Sequence, residues 1–385
     1  MKKNAFLLPL LALAVALVGC KPTPEKNSDT GSDDVAGSAG KSLVKKMVVT
    51  AAYTDTAYDE EYDGSATLNF AYEEGRLASI TGTGEYVYRY MDYSEPDPVN
   101  PEGNAKAEES VWMEDKTSGT ATVGFTYDGE KVNVSLSMDA TYDEAGYGPE
   151  HYSGTGTMAL QMNADKAVSS ARSKFVSEEE SSDEWLVNFE YADNFLTRVA
   201  VPYEGMDASY GLEFGWENGN IVRVGSYDEY VKGSKKSPAQ NRRNGKTDLG
   251  TAMTRLMFPL CGILSSSSSS SDRGHGSTKK SVDWYADYHM EYTSHENKSN
   301  VDIASLAWTI LGGIVDPSQF VGVFGFTGTM SKNLPESLYE DDEYEPDGRW
   351  DYGRVEYVLN ADGLMEKVTV FDEEGNRVGT ISFEY

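Results

Sequence analysis

Phe214-Gly215-Trp216-Glu217-Asn218-Gly219-Asn220-Ile221-Val222-Arg223-Val224 reads as two short strands joined by a two-residue turn. A type I′ turn needs positive φ at both central residues, and Asn-Gly supplies that at low steric cost. Trp216, Asn218 and Gly219 are therefore assigned a structural role in the turn. Trp216 alternates with Phe214 and is expected on the same, inner face.

Fainter copies of this hairpin recur along the chain. Tyr72, Tyr127, Tyr191 and Trp216 each have an aliphatic residue five positions on, namely Leu77, Val132, Leu196 and Ile221. Between each pair stands a residue tolerant of left-handed backbone: Gly75, Gly129, Asn194 or Gly219. Related hairpins close the chain around Asp362-Gly363 and Glu374-Gly375-Asn376. The spacing between copies is unequal, which excludes a fixed-period solenoid and predicts a long antiparallel meander.

Two stretches break this rhythm. Leu249, Ala252, Met253, Leu256, Met257, Leu260, Ile263 and Leu264 fall at helical spacing, as do Ile303, Leu306, Ala307, Ile310, Leu311 and Ile314. The fold class expected is thus mainly β: a curved, barrel-like antiparallel meander of hairpins, with these two helical segments packed on its concave face. Residues 42–385 are read as one β-rich domain, interrupted by a serine-rich loop at about 265–281 that cannot pack.

The N-terminus carries an address. Lys2 and Lys3 precede an apolar run from Ala5 to Val18 that ends in Leu17-Val18-Gly19-Cys20. A short basic region, an apolar core too short for a comfortable span and small residues at the cut describe a signal peptide over 1–19. Leu-Val-Gly-Cys resembles the lipobox of bacterial lipoproteins, which implies acylation of Cys20. Lys21, not an aspartate, follows it, and in such lipoproteins that implies the outer membrane, on its periplasmic or cell-surface side. Residues 20–41 are rich in Pro, Ser, Gly and Asp and form the expected flexible tether.

Composition excludes some functions. The 385 residues carry a net charge of −30, and loss of residues 1–19, with Lys2 and Lys3 and no acid, makes it −32. Nucleic-acid binding needs clustered cations, so nucleic acid is not an expected partner. Two cysteines make no disulfide framework, and removal of the leader leaves Cys261 without a partner, expected as a small buried hydrophobe.

Catalytic and metal motifs are missing from the sequence: no His-Glu-x-x-His, no Gly-x-Ser-x-Gly and no Cys-x-x-Cys. His289 and His295, six apart, are read as ordinary strand histidines. Glu340 to Asp347 is acidic but lacks the alternation and turn glycine of a calcium loop. No cofactor, metal or catalytic residue is assigned.

Trp216-Glu-Asn-Gly-Asn-Ile221, Asn297-Lys-Ser-Asn300-Val-Asp302-Ile303 and Gly328-Thr-Met-Ser331-Lys332-Asn333-Leu334-Pro335, in that order, resemble a family of Bacteroidetes-type lipoproteins described as a domain of unknown function with a porin-like fold. The resemblance covers roughly residues 184–385. It implies a barrel-like antiparallel sheet and brings no activity. The function expected is a non-catalytic envelope lipoprotein, a binding or structural module held to the membrane by its lipid, with a glycan or another envelope protein as partner. The alternative is a glycan-active hydrolase or glycan-binding lipoprotein, motivated by exposed aromatics and abundant carboxylates.

Overall fold

The computed structural model describes residues 43–55, 59–92, 111–177, 185–203, 207–231, 280–299, 301–302, 326, 328–341 and 348–385. They form sixteen strands in one closed antiparallel barrel, in which each strand pairs with its neighbours in sequence and the first pairs with the last. The strands are β1 (Lys46–Asp55), β2 (Glu60–Glu73), β3 (Arg76–Asp92), β4 (Val111–Asp128), β5 (Lys131–Glu144), β6 (Gly148–Met162), β7 (Val168–Ser177) and β8 (Trp185–Ala192). They continue as β9 (Phe195–Pro202), β10 (Ala208–Glu217), β11 (Asn220–Val231), β12 (Lys280–Glu296), β13 (Asn333–Asp341), β14 (Arg349–Leu359), β15 (Met365–Phe371) and β16 (Arg377–Glu384).

Closure is made by the register Met47↔Phe383 and Val49↔Ile381. On the other side of that seam Thr50 and Thr380 join their hydroxyls at 2.8 Å, and Lys46 meets Glu384 at 2.9 Å. A closed sheet has no edge to pair with a second molecule.

Alternation then decides what lies inside. In β5, Val132, Val134, Met138, Ala140 and Tyr142 are buried, while Lys131, Asn133, Ser135, Ser137 and Asp139 are exposed. Every strand contributes buried apolar residues to one continuous cluster, from Met47 and Leu68 through Val199 and Leu338 to Ile381. A closed sheet can gather all its strands onto one cluster only within itself, so the apolar face points inward. Each aliphatic side chain so buried is worth about 1.5–3 kcal/mol.

This corrects the expectation of a concave sheet covered by two helices. The sheet is not open with a concave face but closes on itself, and its apolar face lines the inside of the barrel. No helix occurs among the described residues. The stretches 249–264 and 303–314, read as helices, lie outside them, as does Cys261. Lys280 and Ser281, at the end of the serine-rich stretch, belong to β12.

The recurrent hairpin aromatics have a specific physical role. At one end of the barrel, the aromatic closing an even-numbered strand donates a hydrogen bond to a backbone carbonyl at the start of the strand before it. Tyr72 reaches Val44 at 2.8 Å, Tyr127 reaches Leu77 at 3.0 Å and Trp216 Nε1 reaches Leu196 at 2.7 Å. Tyr292 reaches Ile221 at 2.6 Å, Tyr357 reaches Pro335 at 2.7 Å and Tyr385 reaches Met365 at 2.9 Å. These bonds satisfy carbonyls at the barrel rim and tie each hairpin to the one before. The rim turns themselves are tight, with φ of +51° and +75° at Glu74-Gly75 and +52° and +83° at Asn218-Gly219.

Candidate functional site

At the rim of aromatic bonds, the three stretches that carry the family resemblance converge. Lys332 N donates to Gly219 O at 2.9 Å, and Asn297 N donates to Lys332 O at 2.7 Å. Ser331 Oγ accepts from Ile221 N at 3.1 Å and meets Tyr292 OH at 3.0 Å. Asn220 and Asn333 bond side chain to side chain and side chain to backbone, at 3.2 and 2.8 Å. Ser299 Oγ accepts from Met365 N at 3.0 Å, and Val301 and Phe326 are buried in the core. Residues 297–299, 301–302, 326 and 328–332 are thus a latch across the barrel end. Motif residues separated by over a hundred positions hold one another there, and their chemistry is backbone satisfaction.

Trp216, Asn218 and Gly219 sit in this latch. Trp216 is half-buried, packs on the core and on Phe195 with ring centroids 4.8 Å apart, and follows a bulge between Gly215 and Trp216. A Cβ on Gly219 would stand 3.5 Å from Lys332 Cβ. The arrangement offers no exposed ring for a sugar at Trp216.

The ring of aromatic bonds is missing at two even-numbered strands: β6 closes on Leu160-Gln161-Met162 without an aromatic, and β8 has the aromatic but not the bond. Tyr191, in the equivalent place on β8, has a buried hydroxyl with no partner among the described residues. At the start of the preceding strand Val168 N donates to Phe326 O at 2.7 Å, and Thr329 N donates to Asn194 O at 3.0 Å. The latch lies against this hairpin, where a Cβ on Gly328 would stand 2.7 Å from Asn194 O and 3.3 Å from the Tyr191 ring.

At the opposite end, the interior holds tyrosines and carboxylates. Glu60 accepts from Tyr62 OH at 2.6 Å and Tyr88 OH at 2.8 Å, and the Tyr62 and Tyr88 rings stack with centroids 4.8 Å apart. Buried Asp115 accepts from Tyr142 OH at 3.1 Å and Ala145 N at 3.0 Å. Burial, and then hydrogen bonding to Glu60, raise the Tyr62 and Tyr88 phenols well above their ordinary value. Phenols held neutral on anionic acceptors serve as donors, not as bases.

The outer face of β2 to β6 is different from both ends. There, strand sequences alternate hydroxyl and minimal residues: Thr81-Gly82-Thr83-Gly84, Ser118-Gly119-Thr120-Ala121-Thr122 and Ser153-Gly154-Thr155-Gly156-Thr157. Register places the hydroxyls in rows across the strands. One row runs Thr67↔Thr83↔Thr120↔Asp139↔Ser153, the next Ser65↔Glu85↔Ser118↔Thr141↔His151, and a third Asn69↔Thr81↔Thr122↔Ser137↔Thr155.

Between the first two rows lies a depression of about 450 Å³, lined by Ser65, Thr67, Thr83, Glu85, Ser118, Thr120, Asp139 and Thr141, with Gly84, Gly119 and Ala140 among its lining. The small residues are required by close packing behind it. A Cβ on Gly119 would lie 2.8 Å from both Ala140 Cβ and Asp139 O, and one on Gly82 would lie 2.8 Å from Leu68 Cδ2. Two carboxylates stand in the depression, and Asp139 Oδ2 is 3.1 Å from His151 Nε2.

None of these residues was singled out from the sequence, because a search for nucleophiles, ligands and aromatics passes over serine, threonine and glycine. The period-two alternation of hydroxyl and glycine on neighbouring strands is the signal that finds them.

The remaining sequence candidates do not gather. His289 stacks on Tyr339 with centroids 5.2 Å apart and lies 3.8 Å from Asp341, while His295 is exposed further along β12. Glu340 accepts from Tyr352 OH at 2.9 Å, and residues 342–347 lie outside the described ones. No group of three His, Cys, Asp or Glu side chains able to hold a metal occurs among the described residues. Cys20 and the leader also lie outside them.

No family model and no curated protein matches the chain. Two solved structures align with it. A porin-like protein from Bacteroides uniformis is 10% identical, with a TM-score of 0.40, over 89% of this chain and 97% of that one. Another porin-like protein, from Bacteroides vulgatus, is 9% identical, with a TM-score of 0.19, over 89% and 98%. At those scores nothing about this chain rests on the likeness, and the barrel is established by its own strand pairing.

Proposed function

We propose that the chain is a non-catalytic envelope lipoprotein whose barrel stands in water as a binding module, tied to the outer membrane by acylated Cys20. The observation that carries this reading is the sidedness of the barrel. A membrane-spanning barrel presents an apolar band and aromatic girdles outward and keeps a polar lumen. Here the outer face of β5 reads Lys131, Asn133, Ser135, Ser137 and Asp139, with Val132, Val134 and Met138 inside. Placing such a face in hydrocarbon would bury charged and hydroxyl groups without partners, at several kcal/mol each.

A barrel that cannot enter the bilayer needs a tether to remain with it, and the Leu17-Val18-Gly19-Cys20 ending followed by a polar stretch provides one. The depression on β2 to β5 is the surface offered for binding. Membranes from cells making wild type and Cys20→Ala, washed in alkaline carbonate, test the reading. Wild type is expected to stay with the membrane and Cys20→Ala to be fully soluble. Retention of Cys20→Ala after the wash would show that the barrel itself is embedded.

A further inference from the structure

We infer that the depression on the outer face of β2 to β5 is a saccharide-binding site that takes an uncharged glycan chain laid across the strands. The inference deepens the reading above and rests on it, since the face must be in water to be available.

The chemistry of the lining selects the ligand. Thr67, Thr83, Ser118 and Thr120 present hydroxyls, each both donor and acceptor, and Glu85 and Asp139 present acceptors only. A sugar ring offers the same mixture in reverse: hydroxyls that donate to carboxylates, usually in vicinal pairs, and oxygens that accept from threonine. Glu85 and Asp139 disfavour phosphate, sulfate and uronate by like charge. The lining has neither the aromatic side chains nor the arginine that anchor protein partners. Two carboxylates, one of them 3.1 Å from His151 Nε2, are too few for a calcium shell.

Geometry supports the same ligand. The hydroxyls stand on paired strands rather than loops, and the register Thr67↔Thr83↔Thr120 repeats them at the strand spacing of about 4.8 Å. A glycan chain crossing the strands advances one ring over about that distance. Threonine is stiff at χ1, so these hydroxyls are held in place before a ligand arrives, which lowers the ordering cost of weak polar contacts. The depression gives the chain a trough to lie in, where a flat strand pair would let it roll off.

The test uses the full-length chain carrying Cys20→Ala, purified without detergent. It is applied to an array of neutral gluco-, manno-, galacto- and xylo-oligosaccharides, with uronate, sulfated and glucosamine oligosaccharides as separate arms. The hits are titrated against Thr83→Val/Thr120→Val, which removes two hydroxyls and keeps the strand shape, and against Thr126→Val, on the same face outside the depression. The expected result is binding of a neutral oligosaccharide, at least tenfold weaker in the double variant and unchanged in Thr126→Val. Binding to none of the neutral chains, binding confined to a charged arm, or equal affinity in the double variant would each overturn the assignment. If it is overturned while Cys20→Ala stays soluble after the carbonate wash, the tethered barrel stands without this ligand; retention in the membrane overturns the tethered barrel itself.

Discussion

At the scale of single residues, the aromatic ring at the latched rim makes a paired forecast. Tyr127 donates to Leu77 O, while Tyr191 holds the same place with a buried hydroxyl that bonds nothing among the described residues. A typical intramolecular hydrogen bond contributes about 1 kcal/mol, and a buried unsatisfied hydroxyl costs a comparable amount. Tyr127→Phe should therefore destabilise by about 1 kcal/mol, and Tyr191→Phe should leave stability equal or raise it by up to about 1 kcal/mol. Urea melts of the two variants compare them directly, and equal losses would show that the hydroxyls are not the distinction.

Trp216 and Gly219 extend this argument. Trp216→Ala removes both the bond to Leu196 O and the packing on Phe195, for an expected loss of about 3 kcal/mol. Gly219→Val forces a β-branched side chain to φ near +83°, for about 1–2 kcal/mol. A Trp216→Ala midpoint within error of wild type would remove the ring's structural meaning. The sequence made this rim legible because Asn-Gly and its relatives name their own turn. It could not name the acceptors, since Tyr292 OH and Ile221 O lie 71 positions apart and meet only once the barrel is closed.

At the scale of elements, the latch depends on Ser331. Its hydroxyl serves Ile221 N and Tyr292 OH together, so Ser331→Ala leaves a buried N–H without a partner and should cost about 1–3 kcal/mol. Faster hydrogen exchange at Ile221 and its neighbours would accompany that loss; a variant as stable as wild type, with exchange unchanged, would mean that the latch closes without this residue.

The tyrosine end forecasts a pH dependence. Burial is the first cause that raises Tyr62, Tyr86, Tyr88 and Tyr142 above the ordinary value of 10.0, with Glu60 or Asp115 nearby adding to it. Their folded values exceed the unfolded one, so their contribution is fully present below about pH 10 and is lost as pH rises above it. Alkaline titration should show part of the tyrosinate absorbance appearing only together with loss of β-sheet circular dichroism. Smooth ionisation of all 25 tyrosines in a folded barrel would contradict this placement. Strand existence was legible from alternation, whereas the helical spacing at 249–264 and 303–314 was read as the cover of an open, concave sheet, and the sheet is closed. Periodicity reports which face is apolar but not whether the strands that carry it will close into a ring.

At the scale of the whole molecule, a closed barrel and a pore are different things. Closure joins Lys46 to Glu384 across 338 positions of chain, and no local signal announces such a pairing. What the sequence does contain is the sidedness of every strand, and sidedness decides the solvent. Core residues from all sixteen strands fill the interior, among them Leu68, Val199, Leu338 and Ile381, and the latch crosses one end. An ion passing from the tyrosine and carboxylate end toward the latch would have to shed its hydration against the aliphatic side chains between them. Lipid, for its part, would face hydroxyls and carboxylates on the outside. Purified protein added to planar bilayers should accordingly give no conductance steps and no stable insertion, with lipid composition and voltage making no difference. Reproducible steps from the Cys20→Ala chain would mean that the strands invert their sidedness in the membrane, and the tethered, water-standing barrel would have to be given up.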